Sequence, residues 1–268
     1  MSAGPATELR HAALACLAEC DPHAKAEAVQ VLAQRWNESK LTLDTDVAID
    51  EPPGIPGRPE VPELVDPMAV GRRSMSSVEG RAALIHALAH IEFNAINLAL
   101  DAVWRFPAMP HEFYSDWLSV AAEEALHFSL LARHLHTLGY RYGSFKAHNS
   151  LWDMAHKTRT DVLARIALVP RTFEARGLDA TPPIRAKLAQ AGDLAAADIL
   201  DIILRDEIGH VAVGNRWYGW LCRQRQLDPI ATFAELSLQY RAPTLRGPFN
   251  IEARRAAGFT DEELSRLT

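Results

Sequence analysis

The 268-residue sequence predicts an all-α fold, a four-helix bundle with an N-terminal helical and proline-rich wrap and a C-terminal extension. Three observations predict it. Alanine and leucine are abundant and β-branched residues fewer, which favours helix. Apolar residues recur at three- and four-residue intervals over four long stretches, and strand-like alternation is hard to find. Each of those apolar faces is interrupted by a glutamate, and in two of them a histidine follows one turn later.

Composition narrows the class. Hydrophobic content of 48% with 23% charged residues is ordinary for a soluble globular protein. A formal charge of −6 argues against a nucleic-acid backbone as the main partner, although a local basic patch stays open. Three cysteines make no disulfide framework, and an odd count fits a reducing compartment. Cys16 and Cys20 would share a helix face, and read more readily as small packed residues than as redox partners. No apolar run approaches the roughly 18–20 residues of a membrane span, and no signal-peptide pattern opens the chain. The expected location is the cytoplasm, with no membrane among the partners.

Residues 6–37 read as one or two amphipathic helices carrying Leu9, Ala13, Cys16, Leu17, Val29, Leu32 and Trp36. Residues 38–77 cannot continue a helix, because Pro52, Pro53, Pro56, Pro59, Pro62 and Pro67 lack amide hydrogens. Interspersed Ile55, Val61, Leu64, Val65 and Met68 predict that this segment wraps along the domain. These two pieces form the wrap, residues 1–77.

The bundle is expected over residues 78–228. Its first helix runs from about Ser77 to Arg105, with an inward stripe of Ile85, Leu88, Ala89, Glu92, Ile96, Ala99, Leu100 and Val103. His86 and His90 fall on another face and read as polar packing against the wrap more readily than as substrate contacts. The second, about Glu112 to Leu138, presents Trp117, Val120, Ala121, Glu124, His127, Phe128, Leu131 and Leu135. Residues 139–149 are long enough to return along a helix of that length, without requiring it. A third helix spans about Ser150 to Arg176, with Gly177 as C-cap and Pro170 kinking it one turn before Glu174. Thr181-Pro182-Pro183 should break the chain before a short helix around 184–191. The fourth helix, about Asp193 to Arg225, places Glu207 and His210 among Ala196, Ile199, Leu200, Ile203, Leu204, Val211 and Gly214. Residues 229–268 form the extension, where Arg246, Asn250, Glu252 and Arg254 read equally as a cap over a substrate opening or as a brace.

A carboxylate and an imidazole on a buried stripe are costly unless something pairs with them. Three Glu-x-x-His pairs occur, Glu8/His11, Glu124/His127 and Glu207/His210, where 18 glutamates and 11 histidines placed independently would give fewer than one. What accompanies each pair decides its meaning. Glu8/His11 lies near the terminus without a helix-length carboxylate partner, and reads as solvated. Glu92 precedes Glu124 by 32 residues, and Glu174 precedes Glu207 by 33. Each half thus supplies Glu, then Glu-x-x-His, the set by which ferritin-like bundles hold two iron or manganese ions. Four carboxylates against two imidazoles, with no Lys or Arg on the same stripes, would leave a metal-free network with unbalanced charge. A metal-free helical scaffold is disfavoured on that ground. The expected ligands are Glu92, Glu124, His127, Glu174, Glu207 and His210, with no catalytic residue beyond them. Mixed carboxylate and imidazole ligation suits iron first, with manganese or a mixed Mn/Fe pair as the other options.

On these residues the chain resembles the ferritin-like superfamily. More narrowly it resembles an uncharacterised ferritin-like family catalogued as a domain of unknown function, and more distantly it is similar to bacterial tRNA hydroxylases. Pro-Gly-Arg-Pro-Glu60, Ala-His-Ile-Glu92, Glu-Glu-Ala-Leu-His127, Pro-Arg-Thr-Phe-Glu174, Asp-Glu-Ile-Gly-His210 and Gly-Pro-Phe-Asn250 carry the likeness. The resemblance implies that Asp206 serves His127 and Glu123 serves His210, each from the opposite helix. The resemblance supplies no substrate; the first functional reading is an oxygen-activating hydroxylase or oxidase using dioxygen, an external electron donor and a small organic substrate. A modified nucleoside on tRNA stays open despite the acidic balance, as does a homodimer. The alternative is a ferroxidase or a rubrerythrin-like peroxide scavenger. The long wrap and tail and the lack of a Cys-x-x-Cys pair count against it. Trp104, Tyr114, Trp117, Trp217 and Tyr218 read as packing before they read as electron carriers.

Overall fold

The computed structural model describes residues 7–71 and 73–267. Positions 1–6 and 72 of the expected wrap and position 268 of the extension lie outside the described residues. Regular structure is helical throughout. Among the described residues no strand forms, only two isolated bridges, Glu8–Thr42 and Leu64–Ala147. The chain divides into two compact units, Met1–Asn149 and Ser150–Thr268.

In the first unit, α1 (Leu9–Ala18) and α2 (Pro22–Asn37) precede the proline-rich segment, and α3 (Val78–Arg105) and α4 (His111–Thr137) form a hairpin. Helix α1 packs on α3, and α2 packs on α4. Side-chain caps set the starts: Glu8 accepts from Arg10 and His11, Asp21 from His23 and Ala24, and Ser77 from Gly80. Glu8 is therefore a half-buried N-cap, its carboxylate 2.9 Å from the ring nitrogen of an exposed His11.

The predicted stripe of α3 is buried apart from a partly exposed Leu88, but it is only part of the burial. Every residue from Glu92 to Trp104 is buried, because α1 covers the side that α4 does not. On length and hydropathy alone α3 could cross a membrane, a test the sequence was expected to fail; here it is the core helix of the unit. Two buried cations lock its surroundings. Arg10 donates to the Trp104 carbonyl at 2.8 and 3.2 Å, satisfying a C-terminal orphan of α3, and to the Asp44 and Val47 carbonyls of the wrap. Lys25 Nζ donates to the Leu17 carbonyl (3.1 Å), the Gly57 carbonyl (2.8 Å) and Asn97 Oδ1 (2.5 Å).

The proline-rich segment meets this unit, but not through the apolar residues that suggested it: Val61, Leu64 and Met68 are exposed, whereas Pro56, Gly57 and Pro62 are buried. Gly57 N–H donates to the Leu17 carbonyl at 2.8 Å. A Cβ there would lie 2.1 Å from the Ala18 carbonyl oxygen, so only glycine allows the approach. Cys20, expected on a helix face with Cys16, instead lies beyond the end of α1 and is exposed.

The second unit departs most from the sequence reading. The expected third helix is three pieces: α5 (Ser150–Lys157), α6 (Val162–Leu168) and a π-helical turn, Val169–Glu174. Asp161 caps α6 by accepting from Leu163. Pro170 produces a π turn in place of a simple kink, and Thr172 Oγ1 donates to the Ala167 carbonyl at 3.0 Å. Gly177 is no C-cap, and Pro182-Pro183 is no break: α7 runs through both, Ala175–Gln190. Helix α8 (Leu194–Gln224) follows, capped by Asp193, then α9 (Pro229–Gln239), α10 (Ile251–Ala256) and α11 (Asp261–Ser265).

Gly214 marks where α8 approaches the π turn. A Cβ there would lie 2.8 Å from Pro170 Cβ and 3.0 Å from Pro170 Cγ, ring atoms with little freedom to move. In an exposed helix interior Gly→Ala stabilises by up to about 1 kcal/mol. Gly214→Ala should reverse that sign and destabilise by about 1–3 kcal/mol through overpacking. Gly209→Ala, on the same helix and facing open space, is the control and should stabilise. Urea midpoints of the two variants decide the matter; stabilisation by both would contradict the close approach.

Candidate metal centre

The first unit brings three of the expected ligands together. Glu92 on α3 and Glu124 and His127 on α4 are all buried. His127 Nδ1 lies 3.3 Å from Glu124 Oε2 and 3.4 Å from Glu92 Oε2. One nitrogen thus faces two carboxylates in a dry interior, and the donor atoms lie within 4.8 Å of one another, close enough to share a metal ion. The spacing makes this possible: three residues on a helix return to the same face, and the short turn at 106–110 folds α3 back beside α4.

Burial, then the charge of Glu124, pushes the Glu92 carboxyl up to about 8. Burial would lower His127, but the two carboxylates outweigh it and push the imidazole up to about 11. A metal ion bound there would compete with the protons that these shifts favour. The buried basic side chains of this unit, Arg10 and Lys25, are committed to carbonyl and amide oxygens.

In the second unit α8 presents Glu207 and His210, both buried, with Oε1 and Nδ1 3.9 Å apart. Glu174 is the last residue of the π turn, its side chain partly buried. Asp206 pairs with Arg205 at 2.7 Å, and Glu123 lines a small groove between α2 and α4 with Trp36, Ser115 and Ser119. The remaining polar residues have packing roles. His86 and His90 meet the 139–149 connection, where Gly143 N–H donates to His86 Nε2 and Tyr142 shares a 2.8 Å hydrogen bond with His90 Nδ1. The expected partner for these histidines was the wrap. Tyr114 donates to the Phe106 carbonyl and Tyr218 to the Pro229 carbonyl, consistent with packing.

Of the two readings of the C-terminal cluster, Asn250 and Arg254 follow the brace, both bonding to α7; the part of Arg171 was not foreseen. Arg254, fully buried, grips Asp179 through both oxygens, and Arg171 reaches Asn215 and Glu263. The signal for Arg171 was its place directly after Pro170, inside an otherwise apolar run.

These features define an all-α protein with a buried glutamate and histidine group able to hold a metal ion. The chain belongs to the family described as "Protein of unknown function (DUF455)", whose model matches residues 18–265. An uncharacterised protein of Haemophilus influenzae is similar, 55% identical over 213 residues that cover 77% of this chain and 74% of that protein. No solved structure matches the chain.

Proposed function

We propose that this protein is a ferritin-like, dinuclear-metal oxidoreductase that activates dioxygen to hydroxylate or oxidise an organic substrate. Glu92, Glu124, His127, Glu174, Glu207 and His210 hold the two ions, iron before manganese or a mixed pair. The observation that carries this reading is the convergence of Glu92 and Glu124 on one nitrogen of His127 inside the first unit. The second half of the sequence repeats the same order of ligands at nearly the same separation.

The donor set fits. Carboxylates can bridge two cations and balance their charge, while a single imidazole on each leaves positions open. Bound there, the ions would supply Lewis acidity and relay to dioxygen the electrons that an external donor and the substrate provide. The chain's own contribution is a dry, apolar wall: Ile96, Ala121 and Phe128 flank the ligands on α3 and α4 and exclude water. Asp206 and Glu123 are the carboxylates that the resemblance offers for the second N–H of the metal-bound imidazoles.

The test is elemental analysis of protein purified without chelator, then anaerobic ferrous loading and oxygen uptake. Two irons per chain and rapid uptake are expected. No transition metal after loading would overturn the reading. Uptake that only accumulates ferric ion, or that consumes peroxide in preference to dioxygen, would move the assignment to an iron-handling protein.

A further inference from the structure

Helix α7 runs through a sequence that should end it, and the C-terminal extension explains how. Pro182 has no N–H for the Leu178 carbonyl, and Pro183 none for the carbonyl of Asp179. Asn250 Nδ2 donates to that Leu178 carbonyl at 3.2 Å, replacing the missing helical bond. Asn250 N–H donates to Asp179 Oδ1 at 2.9 Å. Arg254 donates to Asp179 Oδ1 (3.0 Å) and Oδ2 (2.6 Å), and to the Ala175 carbonyl at 3.2 Å. Ala175 is the residue after Glu174.

The same segment grips the other side of the π turn. Arg171 Nε donates to Asn215 Oδ1 on α8 at 2.5 Å, and its guanidinium pairs with Glu263 of α11. Its charge lies over the rings of Tyr218, Phe233 and Phe259, at 4.1, 5.1 and 5.2 Å. Asn215 Nδ2 donates to the Ala257 carbonyl at 2.7 Å. Ala253 and Ala257 pack with Ala175, Leu178 and Val211, so apolar burial backs the polar contacts.

A π turn carries one residue more than the α-helix it interrupts and is seldom retained without compensation. Relaxation to α-helix would turn the flanking residues by about 100° relative to each other. We propose that residues 250–263 are a clasp that holds the Val169–Glu174 turn in its π register and thereby positions the Glu174 carboxylate for metal. Arg254, Asn250 and Arg171 are its positioning residues. The proposal rests on the reading above in which Glu174 is a ligand.

Cobalt(II) titration of the metal-free full-length protein tests it, since the visible absorption of the ion counts sites and reports their ligands. Wild type is expected to take two ions. A variant carrying Asn250→Ala and Arg254→Met should stay helical by circular dichroism, keep one site, and bind the second ion about 10–100-fold more weakly. If that variant does not fold, Asn250→Ala alone decides. Adding Pro182→Ala to Asn250→Ala restores an N–H for Leu178 and should recover affinity to within a few fold; no recovery would overturn the role of Asn250. Both sites at wild-type affinity in the folded clasp variant, with one lost in Glu174→Ala, would overturn the clasp and leave the ligand reading standing. Both sites retained in Glu174→Ala would remove Glu174 from the ligands and overturn the clasp with it.

Discussion

Glu124→Ala should remove most of the stabilisation that manganese or ferrous ions confer on the folded chain, while Glu8→Ala should leave it intact. Both glutamates begin a Glu-x-x-His pair, so spacing alone does not separate them. Their surroundings do. Glu124 is fully buried, with Glu92 and His127 at hand, whereas Glu8 caps α1 and pairs with an exposed His11. A ligand that binds only the folded state stabilises it by about 2.7 kcal/mol per site at a hundredfold excess over its dissociation constant. Glu124→Ala should lose most of that increment and retain at most one weakly held ion. Glu8→Ala should lose about 1 kcal/mol of cap energy with or without metal. Anaerobic thermal melts with and without added ion measure both. An unchanged metal-dependent shift in Glu124→Ala would remove that residue from the ligand set.

Where periodicity and caps agreed, the sequence reading was close. Ser77 and Asp193 mark the starts of α3 and α8 within a residue, because a short polar side chain ahead of an apolar-periodic run satisfies the first free amides. The reading failed where local rules were overridden from a distance. Pro182-Pro183 is a stop signal in isolation, and α7 passes it with Asn250, some seventy residues later, serving the Leu178 carbonyl; Gly177, read as a stop, lies in the first turn of α7. Nothing near the prolines announces that donor.

The candidate site divides in the same way. Glu92, Glu124 and His127 were legible because a carboxylate on an apolar stripe is expensive, and the structure places all three in contact. Helix α3 looked one-sided because the pattern of its own residues cannot reveal that α1 covers the opposite face. Asn94, Asn97 and Asp101 are buried there, and their polarity reads as solvent exposure until the covering helix is known.

Acidification should unfold the protein in a window set by two histidines that no ligand pattern singles out. His86 and His90 are buried, and burial pushes both down to about 4 from the ordinary 6.5, with His86 and the Arg58 guanidinium adding to the effect at His90. Geometry agrees with the neutral form: His86 Nε2 accepts the Gly143 N–H, so a proton on that nitrogen would set donor against donor. Between pH 6.5 and 4 the unfolded chain binds these protons and the folded chain does not. Stability is therefore fully present above about 6.5 and falls as pH drops, by about 2–3 kcal/mol per histidine near pH 4.5. His86→Gln cannot titrate and should show a smaller difference between urea midpoints at pH 7 and pH 4.5 than wild type. With chelator present in every sample, the metal group contributes alike to both proteins and drops out of the comparison. Equal differences in the two would mean that His86 is already charged in the fold, and the imidazole would then need an acceptor in place of the Gly143 amide.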